Sequence, residues 1–246
     1  MLREHTLVVG GTSDIGVWVI DALAKRGHSI SITGRNKKKL AEIKNDTKRK
    51  YNLPILTYEL DITDMNSFQK FYSSLKEKPN HVFVLVGYYE DQNEARKDWK
   101  ELEKTIQINF TGIAALVNHI SLAMEKENSG TITVVSSVAG ERGRKLNYIY
   151  GSAKAGLTTY LSGLRALLYP KGVHIGTILL GPVYTKMSFG HNLIPWLTLK
   201  PEVAGEKIVS AGLEKKDQIY IRWPWRWIML LIRIIPEWIF KRLPSF

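Results

Sequence analysis

Seven short runs of apolar and β-branched residues punctuate the chain, at 6–9, 29–33, 55–60, 82–86, 131–135, 173–180 and 218–221. Each is strand length, and most are bounded by Gly, Ser, Asn or Pro. The run at 82–86 is apolar at every position, as in a sheet covered on both faces. Between them lie stretches of helical periodicity at 17–25, 37–50, 99–127, 149–168 and 201–213. That alternation predicts an α/β chain built on a doubly wound parallel sheet of about seven strands with helices on both faces. A length of 246 residues suits one such domain.

The turns after the strands carry the chemistry. The first strand runs into Gly10-Gly11-Thr12-Ser13-Asp14-Ile15-Gly16 and then a helix. Such a turn aims backbone N–H groups and the helix dipole at a phosphate. Gly10 allows the tight turn, and Gly16 lets helix and sheet approach closely. The second strand ends in Gly34-Arg35-Asn36, without the acidic residue that binds an unmodified adenosine ribose. Arg35 instead offers a fixed fork suited to a 2′-phosphate, which favours NADP(H) over NAD(H). The alternative is that Arg35 merely opens the basic helix through Lys37, Lys38, Lys39, Lys44, Lys48, Arg49 and Lys50, whose lysines read as a solvated face. Asp61 and Ile62, at the end of the third strand, are expected against the adenine.

Ser137 is expected just past the fifth strand. Tyr150 and Lys154 stand four residues apart on one face of the helix that follows. An ammonium beside a phenol favours the phenolate and lowers its pKa, and a nearby serine hydroxyl can hold a carbonyl oxygen in line for the proton. Asn109 lies among apolar neighbours in the long helix before them. A Tyr-x-x-x-Lys pair alone would read as an ordinary solvated face; the glycine turn and the strand pattern in front of it change the case.

Composition removes other chemistries. With no cysteine, disulfides, thiol nucleophiles and thiolate metal sites are excluded. The six histidines show no ligand spacing and read as surface or strand-end residues, so no metal is expected. The N-terminus enters a strand almost at once, leaving no room for a signal peptide, and a cytoplasmic location is expected. A formal charge of +12 would suit nucleic acid, a membrane surface or anionic substrates. No nucleic-acid motif accompanies it. Residues 186–200, rich in Phe, Ile, Trp and Leu, read as a mobile lid over an apolar substrate.

Residues 222–246 form a separate Trp- and Arg-rich segment after the 1–221 domain. Their longest apolar run is far short of the ~20 residues that span a bilayer. Arg222, Arg226, Arg233, Glu237 and Lys241 fall on one face of a single C-terminal amphipathic helix, with Trp and Ile over most of the rest. This suits peripheral contact with the inner face of a membrane. The alternative is a helix packed in an oligomer interface or over the active site.

Over residues 6–221 these features resemble the short-chain dehydrogenase/reductase family, single-domain branch, with its Rossmann-type fold. Gly10 and Gly16 match the family's Thr-Gly-x-x-x-Gly-x-Gly turn, with Val9 at the threonine and Asp14 at the middle glycine. An Asp14 side chain turned to solvent or capping the helix would be tolerated there. Asp61 matches the adenine-side aspartate and Gly87 the end of the Asn-Asn-Ala-Gly motif. Asn109, Ser137, Tyr150 and Lys154 match the catalytic tetrad. The resemblance implies that Tyr150 is the acid/base, Ser137 orients the carbonyl, Lys154 lowers the tyrosine pKa and binds the nicotinamide ribose, and Asn109 holds a water in the proton path. Gly181, Pro182, Val183 and Thr185 resemble the loop that meets the nicotinamide. A homodimer or homotetramer through the helices of Asn109 and Tyr150 is implied as well.

The tail is similar to that of reductases acting on a 2-keto-ribose attached to decaprenyl phosphate. Together these resemblances imply an NADP(H)-dependent enzyme interconverting a ketone and a secondary alcohol on a membrane-borne substrate, such as a polyprenyl-phosphate-linked keto-sugar. The alternatives are a reductase of a soluble sugar, steroid or acyl ketone whose tail serves assembly, or a non-catalytic nucleotide-binding membrane scaffold.

Overall fold

The computed structural model describes residues 4–190 and 192–243. The first three residues, His191 of the lid and the last three residues of the tail, Pro244 among them, lie outside the described residues. The chain runs β1 (His5–Val9), α1 (Asp14–Lys25), β2 (Ser29–Gly34), α2 (Lys37–Tyr51), β3 (Ile55–Glu59), α3 (Phe68–Ser74) and β4 (His81–Val84). It continues through α4 (Gln92–Ala95), α5 (Trp99–Ile106), α6 (Gly112–Lys126), β5 (Gly130–Ser137), α7 (Tyr148–Leu168), β6 (Val173–Leu180), α8 (Pro201–Leu213) and β7 (Gln218–Tyr220). Two helices, α9 (Pro224–Ile234) and α10 (Glu237–Phe240), close it. The strands form one sheet in the order β3-β2-β1-β4-β5-β6-β7, every pair parallel.

Alternate residues of each strand feed different cores. Leu7, Val9, Val82, Val84, Ile132 and Val134 pack under α6 and α7, with Ile113, Leu116, Ile120, Leu157 and Leu161. Val8, Ile30, Ile32, Phe83 and Ile178 pack on the other face with Val19, Ile20 and Leu23 of α1 and with Ile208 and Val209 of α8. This double burial is why the strands read as apolar runs. The helical stretch from Trp99 to Lys126 is long and apolar enough to cross a membrane, but its apolar residues Ile113, Leu116, Val117 and Ile120 are core.

Two boundaries differ from the sequence expectation. Ser137 does not lie past the fifth strand; it is the last residue of β5, because pairing with β6 continues to Ser137 opposite Leu180. The tail is not one helix either. The amphipathic helix α9 ends at Ile234, Ile235 and Pro236 leave helical geometry, and α10 restarts at Glu237. Proline at 236 disfavours helix at the residue before it. The face drawn from Arg222 to Lys241 therefore breaks after Arg233.

The inner side of α9 is docked. Trp225 and Met229 join Val138, Leu179 and Leu197 in a third buried cluster, with Ile228 and Ile232 packed against it. The Trp225 indole lies on Gly181, where any Cβ would collide with the ring, and its Nε1 donates to the Leu197 carbonyl at 3.4 Å. Arg142, in the loop between β5 and α7, closes the far end. Its guanidinium donates to the carbonyls of Ile232 at 2.6 Å and Ile235 at 2.5 Å and to Glu237 at 2.9 Å, and lies 3.8 Å from the centroid of the Phe240 ring. Those carbonyls lie in the last turn of α9 and just past it, where the helix has no acceptable donor of its own.

Trp225→Ala should cost about 3 kcal/mol of unfolding free energy through the lost contacts and the cavity left under the tail. Urea titration with protease sensitivity at residues 222–243 checks this. A tail that stays protected with a loss below about 1 kcal/mol would mean that the docking does not depend on Trp225.

Candidate active site

The cleft lies at the carboxyl ends of the strands, where an open parallel sheet holds ligands. Its floor depends on a close approach. A Cβ on Gly151 would sit 2.7 Å from the Ala139 carbonyl oxygen, and one on Gly140 would sit 2.7 Å from the Ala155 nitrogen. Glycine at both positions lets α7 press onto the turn that follows β5. The Ser137 and Tyr150 hydroxyls thereby come within hydrogen-bonding reach. Ser137 Oγ also donates to the Leu180 carbonyl at 3.3 Å and accepts from Ala139 N at 3.1 Å.

Lys154 is almost fully buried. Its Nζ donates to the carbonyls of Val86 at 3.4 Å and Val135 at 3.3 Å, and lies 5.8 Å from the Tyr150 ring centroid. Desolvation alone pulls its pKa down to about 7. Desolvation pushes the Tyr150 phenol up to about 12, against the lowering effect of the Ser137 hydrogen bond. In the protein without cofactor the phenol therefore stands above its ordinary value, and among the described residues burial, Ser137 and Tyr89 are the groups that act on it.

Asn109 sits in a π-helical turn, Gln107–Thr111, between α5 and α6. A single wide turn of this kind is common where a helix serves a site. The Asn109 amide holds the loop after β4. Its Oδ1 accepts from Tyr88 N at 3.0 Å, and its Nδ2 donates to the Tyr88 carbonyl at 2.7 Å and the Thr105 carbonyl at 2.9 Å. The Asn109 side chain thereby anchors the backbone that carries Gly87 and supplies the Val86 carbonyl to Lys154.

The glycine turn fits a dinucleotide phosphate. Gly10 has φ +80°, and a Cβ there would meet the backbone of Leu85 and Val86 at 3.2 Å. Ser13 caps α1, its Oγ accepting from Gly16 N at 3.0 Å and donating to the Gly10 carbonyl at 2.8 Å. Among the described residues, the N–H groups of Thr12, Asp14 and Ile15 have no acceptor. Three unused donors at a helix N-terminus form an anion cradle. Asp14 is half-exposed and does not cap the helix. Its Oδ2 accepts from Lys186 N of the lid at 2.9 Å.

At the adenosine end, Asn36 rather than Arg35 caps α2, accepting from Lys39 N at 3.0 Å. Arg35 is exposed and acts on Asp61 through its charge. The Asp61 carboxylate accepts from Thr63 N at 2.9 Å and Thr63 Oγ1 at 2.8 Å, and these bonds with Arg35 hold its pKa below the usual value against desolvation, the largest single effect. Ile62 is a core residue whose carbonyl abuts Gly112 of α6.

At the nicotinamide end, Gly181 underlies Trp225, Val183 is buried and bridges to Leu199, and Thr185 caps a short turn with Ser188. Pro182 accepts from Leu199 N at 3.0 Å, which zips the base of the lid. Met187 of the lid reaches toward Gly87 across the cleft. Sequence reasoning missed Met187, Trp225 and Tyr89, whose ring stands edge-on to Tyr150 with centroids 5.6 Å apart. Only the position of Tyr89, two residues past Gly87, could have drawn notice to it. Among the described residues, no group of three His, Asp or Glu side chains could hold a metal.

Comparison with known proteins supplies the family. Residues 4–192 match the short chain dehydrogenase family. An uncharacterised oxidoreductase of Mycobacterium tuberculosis is 29% identical over 241 residues, covering 97% of this chain and 96% of that one. A short-chain dehydrogenase of Burkholderia cenocepacia in complex with NADP superposes with a TM-score of 0.84 at 21% identity, over 99% of this chain and 98% of its own. A Sphingobium yanoikuyae short-chain dehydrogenase in complex with NADPH gives 0.81 at 18%, over 95% and 97%.

The lowered pKa of Lys154 has a measurable consequence. Between about pH 7 and its ordinary 10.5, the unfolded chain binds a proton at this lysine that the folded chain does not. Stability should therefore climb as pH rises through that window and fall away toward pH 7. Thermal unfolding from pH 6.5 to 9 should show the climb in the cofactor-free protein, and Lys154→Met should flatten it. Equal slopes in the two proteins would show that the ammonium is not desolvated.

Proposed function

The chain belongs to the short-chain dehydrogenase family and is an NAD(P)-dependent oxidoreductase, and we propose that it interconverts a ketone and a secondary alcohol with NADP(H), on a membrane-borne substrate such as a polyprenyl-phosphate-linked keto-sugar. The single observation that carries the chemistry is the contact of Ser137 with Tyr150 above a buried Lys154. The bound cofactor would supply or accept the hydride at the carbonyl carbon. Ser137 holds the carbonyl oxygen and offsets the charge that develops on it. Tyr150, with its pKa near 12, keeps its proton at neutral pH and gives it to that oxygen. A phenolate formed there raises the proton affinity of Lys154, whose pKa near 7 lets it take or release a proton at little cost. In the oxidative direction the same steps reverse.

Preference for NADP(H) rests on Arg35, which no salt bridge or hydrogen bond engages among the described residues, and on the absence of an acidic residue at the end of β2. The NADP and NADPH complexes of the two structural neighbours agree with it. Membrane contact on the cytoplasmic face rests on the outer side of α9. Trp227, Leu230, Leu231 and Ile234 are exposed there, flanked by Arg226 and Arg233, and Phe189 and Trp196 of the lid are exposed as well. A homodimer or homotetramer is supported by an apolar groove of about 400 Å³ between α5 and α7, lined by Leu102, Ile106, Tyr148 and Ile149.

Titration of nicotinamide fluorescence should give NADPH binding at least about tenfold tighter than NADH, and Arg35→Ala should remove most of the difference. NADH binding equal to NADPH would make Arg35 a surface charge. Tyr150→Phe should abolish turnover and spare NADPH binding; persisting turnover would remove Tyr150 as the proton donor.

Replacing Trp227, Leu231 and Ile234 together by Gln should weaken partitioning onto anionic liposomes by about tenfold or more, because it removes most of the exposed apolar face. Unchanged partitioning with a smaller oligomer on light scattering would instead favour assembly through the tail and a soluble ketone as substrate.

A further inference from the structure

Next to Tyr150 the protein leaves polar atoms unsatisfied. Arg144 Nε, Asn147 Oδ1 and Gln92 Nε2 are buried with no hydrogen-bond partner among the described residues. Gln92 is only 6% exposed. Its Oε1 accepts from Ile149 N at 3.1 Å, in the first turn of α7, which leaves the NH2 end unused. Asn147 precedes α7 but its side chain does not cap it. Tyr89 ties these groups to the reacting phenol. Its ring packs on Tyr150, its hydroxyl donates to the Leu146 carbonyl at 3.2 Å, and it lies within electrostatic reach of Arg144. Asp91 and Glu90 act on Tyr89, but among the described residues no carboxylate acts on Arg144.

Arg144 is half-buried, and a guanidinium beside an active site whose buried Nε lacks a partner is unfavourable unless an acceptor arrives to pair with it. Unused N–H donors on Gln92 and Arg144 suit oxygen atoms, and the Asn147 carbonyl suits a hydroxyl. We propose that Arg144, Gln92 and Asn147 form a subsite for an oxyanion, phosphoryl or carboxylate, carried by the substrate close to the carbonyl that Tyr150 protonates. This rests on the ketone–alcohol reading and narrows it to an anionic, hydroxyl-bearing ketone.

Arg144 supplies the charge, Gln92 a second donor, and Asn147 takes a neighbouring hydroxyl. The subsite is built on residues 89–92 and 144–147, whereas the anion cradle lies at the start of α1, so the two sites use separate segments. The groups lie on three segments, 89–92, 144–147 and the start of α7, that the Gln92–Ile149 and Tyr89–Leu146 bonds hold together.

The test compares dihydroxyacetone with dihydroxyacetone phosphate, and methyl levulinate with levulinate, in NADPH-dependent reduction by the full chain. The charged member of at least one pair should have a kcat/KM at least about tenfold higher. The pair that shows the effect distinguishes phosphoryl from carboxylate. Arg144→Gln should bring that ratio down toward one, and Arg144→Lys should keep part of it. If Arg144→Gln fails to fold, Asn147→Asp decides, since a carboxylate beside Arg144 should lower the ratio with the arginine still in place.

Calorimetric titration of the Tyr150→Phe protein with dihydroxyacetone phosphate and levulinate reads the subsite without turnover. Binding there that Arg144→Gln abolishes, with no ketone reduced by the parent protein, would keep the subsite and discard the ketone reading. Equal kcat/KM within both pairs, or ratios that neither substitution moves, would overturn the proposal.

Discussion

The Lys154 amine is buried in the cleft against the carbonyls of Val86 and Val135, with no carboxylate acting on it among the described residues, and much of the site follows from how the fold accommodates that group. Those carbonyls belong to the chain just past β4 and to β5, adjacent parallel strands whose carboxyl ends rise together. A parallel ladder leaves such carbonyls at its upper edge, so the sheet itself provides the partial negative charge. Asn109 then becomes necessary to that arrangement. By holding both the N–H and the carbonyl of Tyr88 it fixes the loop from which the Val86 carbonyl reaches Lys154. The π-turn around Asn109 is the local distortion that aims its amide at that loop.

The tail enters the site by a second route. Glu141 accepts from the Tyr220 hydroxyl at 2.8 Å, Arg142 gathers the carbonyls at the end of α9, and Lys145 donates to the Leu243 carbonyl at 2.9 Å. All three lie between Ser137 and Tyr150. The segment between Ser137 and Tyr150 is thus fastened to β7, to the end of α9 and to Leu243. Trp225 fastens the lid and the nicotinamide loop to the same helix. One face of α9 therefore has a structural role whatever the other face meets. This also explains how a helix so rich in Trp and Ile can carry arginines at 226 and 233: each of its two apolar faces is narrow.

Most of the sheet was legible because its strands are buried on both sides, so burial alone set the pattern in residues 82–84 and 173–180. The turns were legible for a different reason: Gly10 and Ser13 are local devices that act within a few residues. What escaped the sequence was long-range. Nothing near Asp14 announces a bond to Lys186, 172 residues away. Trp225 could not be told from the exposed Trp223 and Trp227 by composition, because the distinction is made by Gly181 and Leu197 on another strand and loop. Spacing puts Tyr150 and Lys154 on the same helical face but says nothing about the carbonyls of Val86 and Val135, past β4 and in β5, that the lysine meets. Pro236 was visible, and its break in the tail could have been read from the chain.

The Asp14–Lys186 bond gives the odd residue of the glycine turn a reason to be there. A carboxylate in the first turn of α1 is favoured by the helix dipole, yet it would crowd the phosphate that the same N–H groups invite. Pointing it at the lid resolves both demands. The charge stays near the positive end of the helix, and its oxygen is occupied by a backbone donor rather than facing the anion. The lid is thereby attached at two ends, by Asp14 near the cofactor turn and by the Val183–Leu199 bridge at its base. Between them Met187 lies over Gly87 and Phe189 is left in solvent. Fixed at both ends, the segment turns its middle outward, and that is why Phe189 and Trp196 are left exposed there.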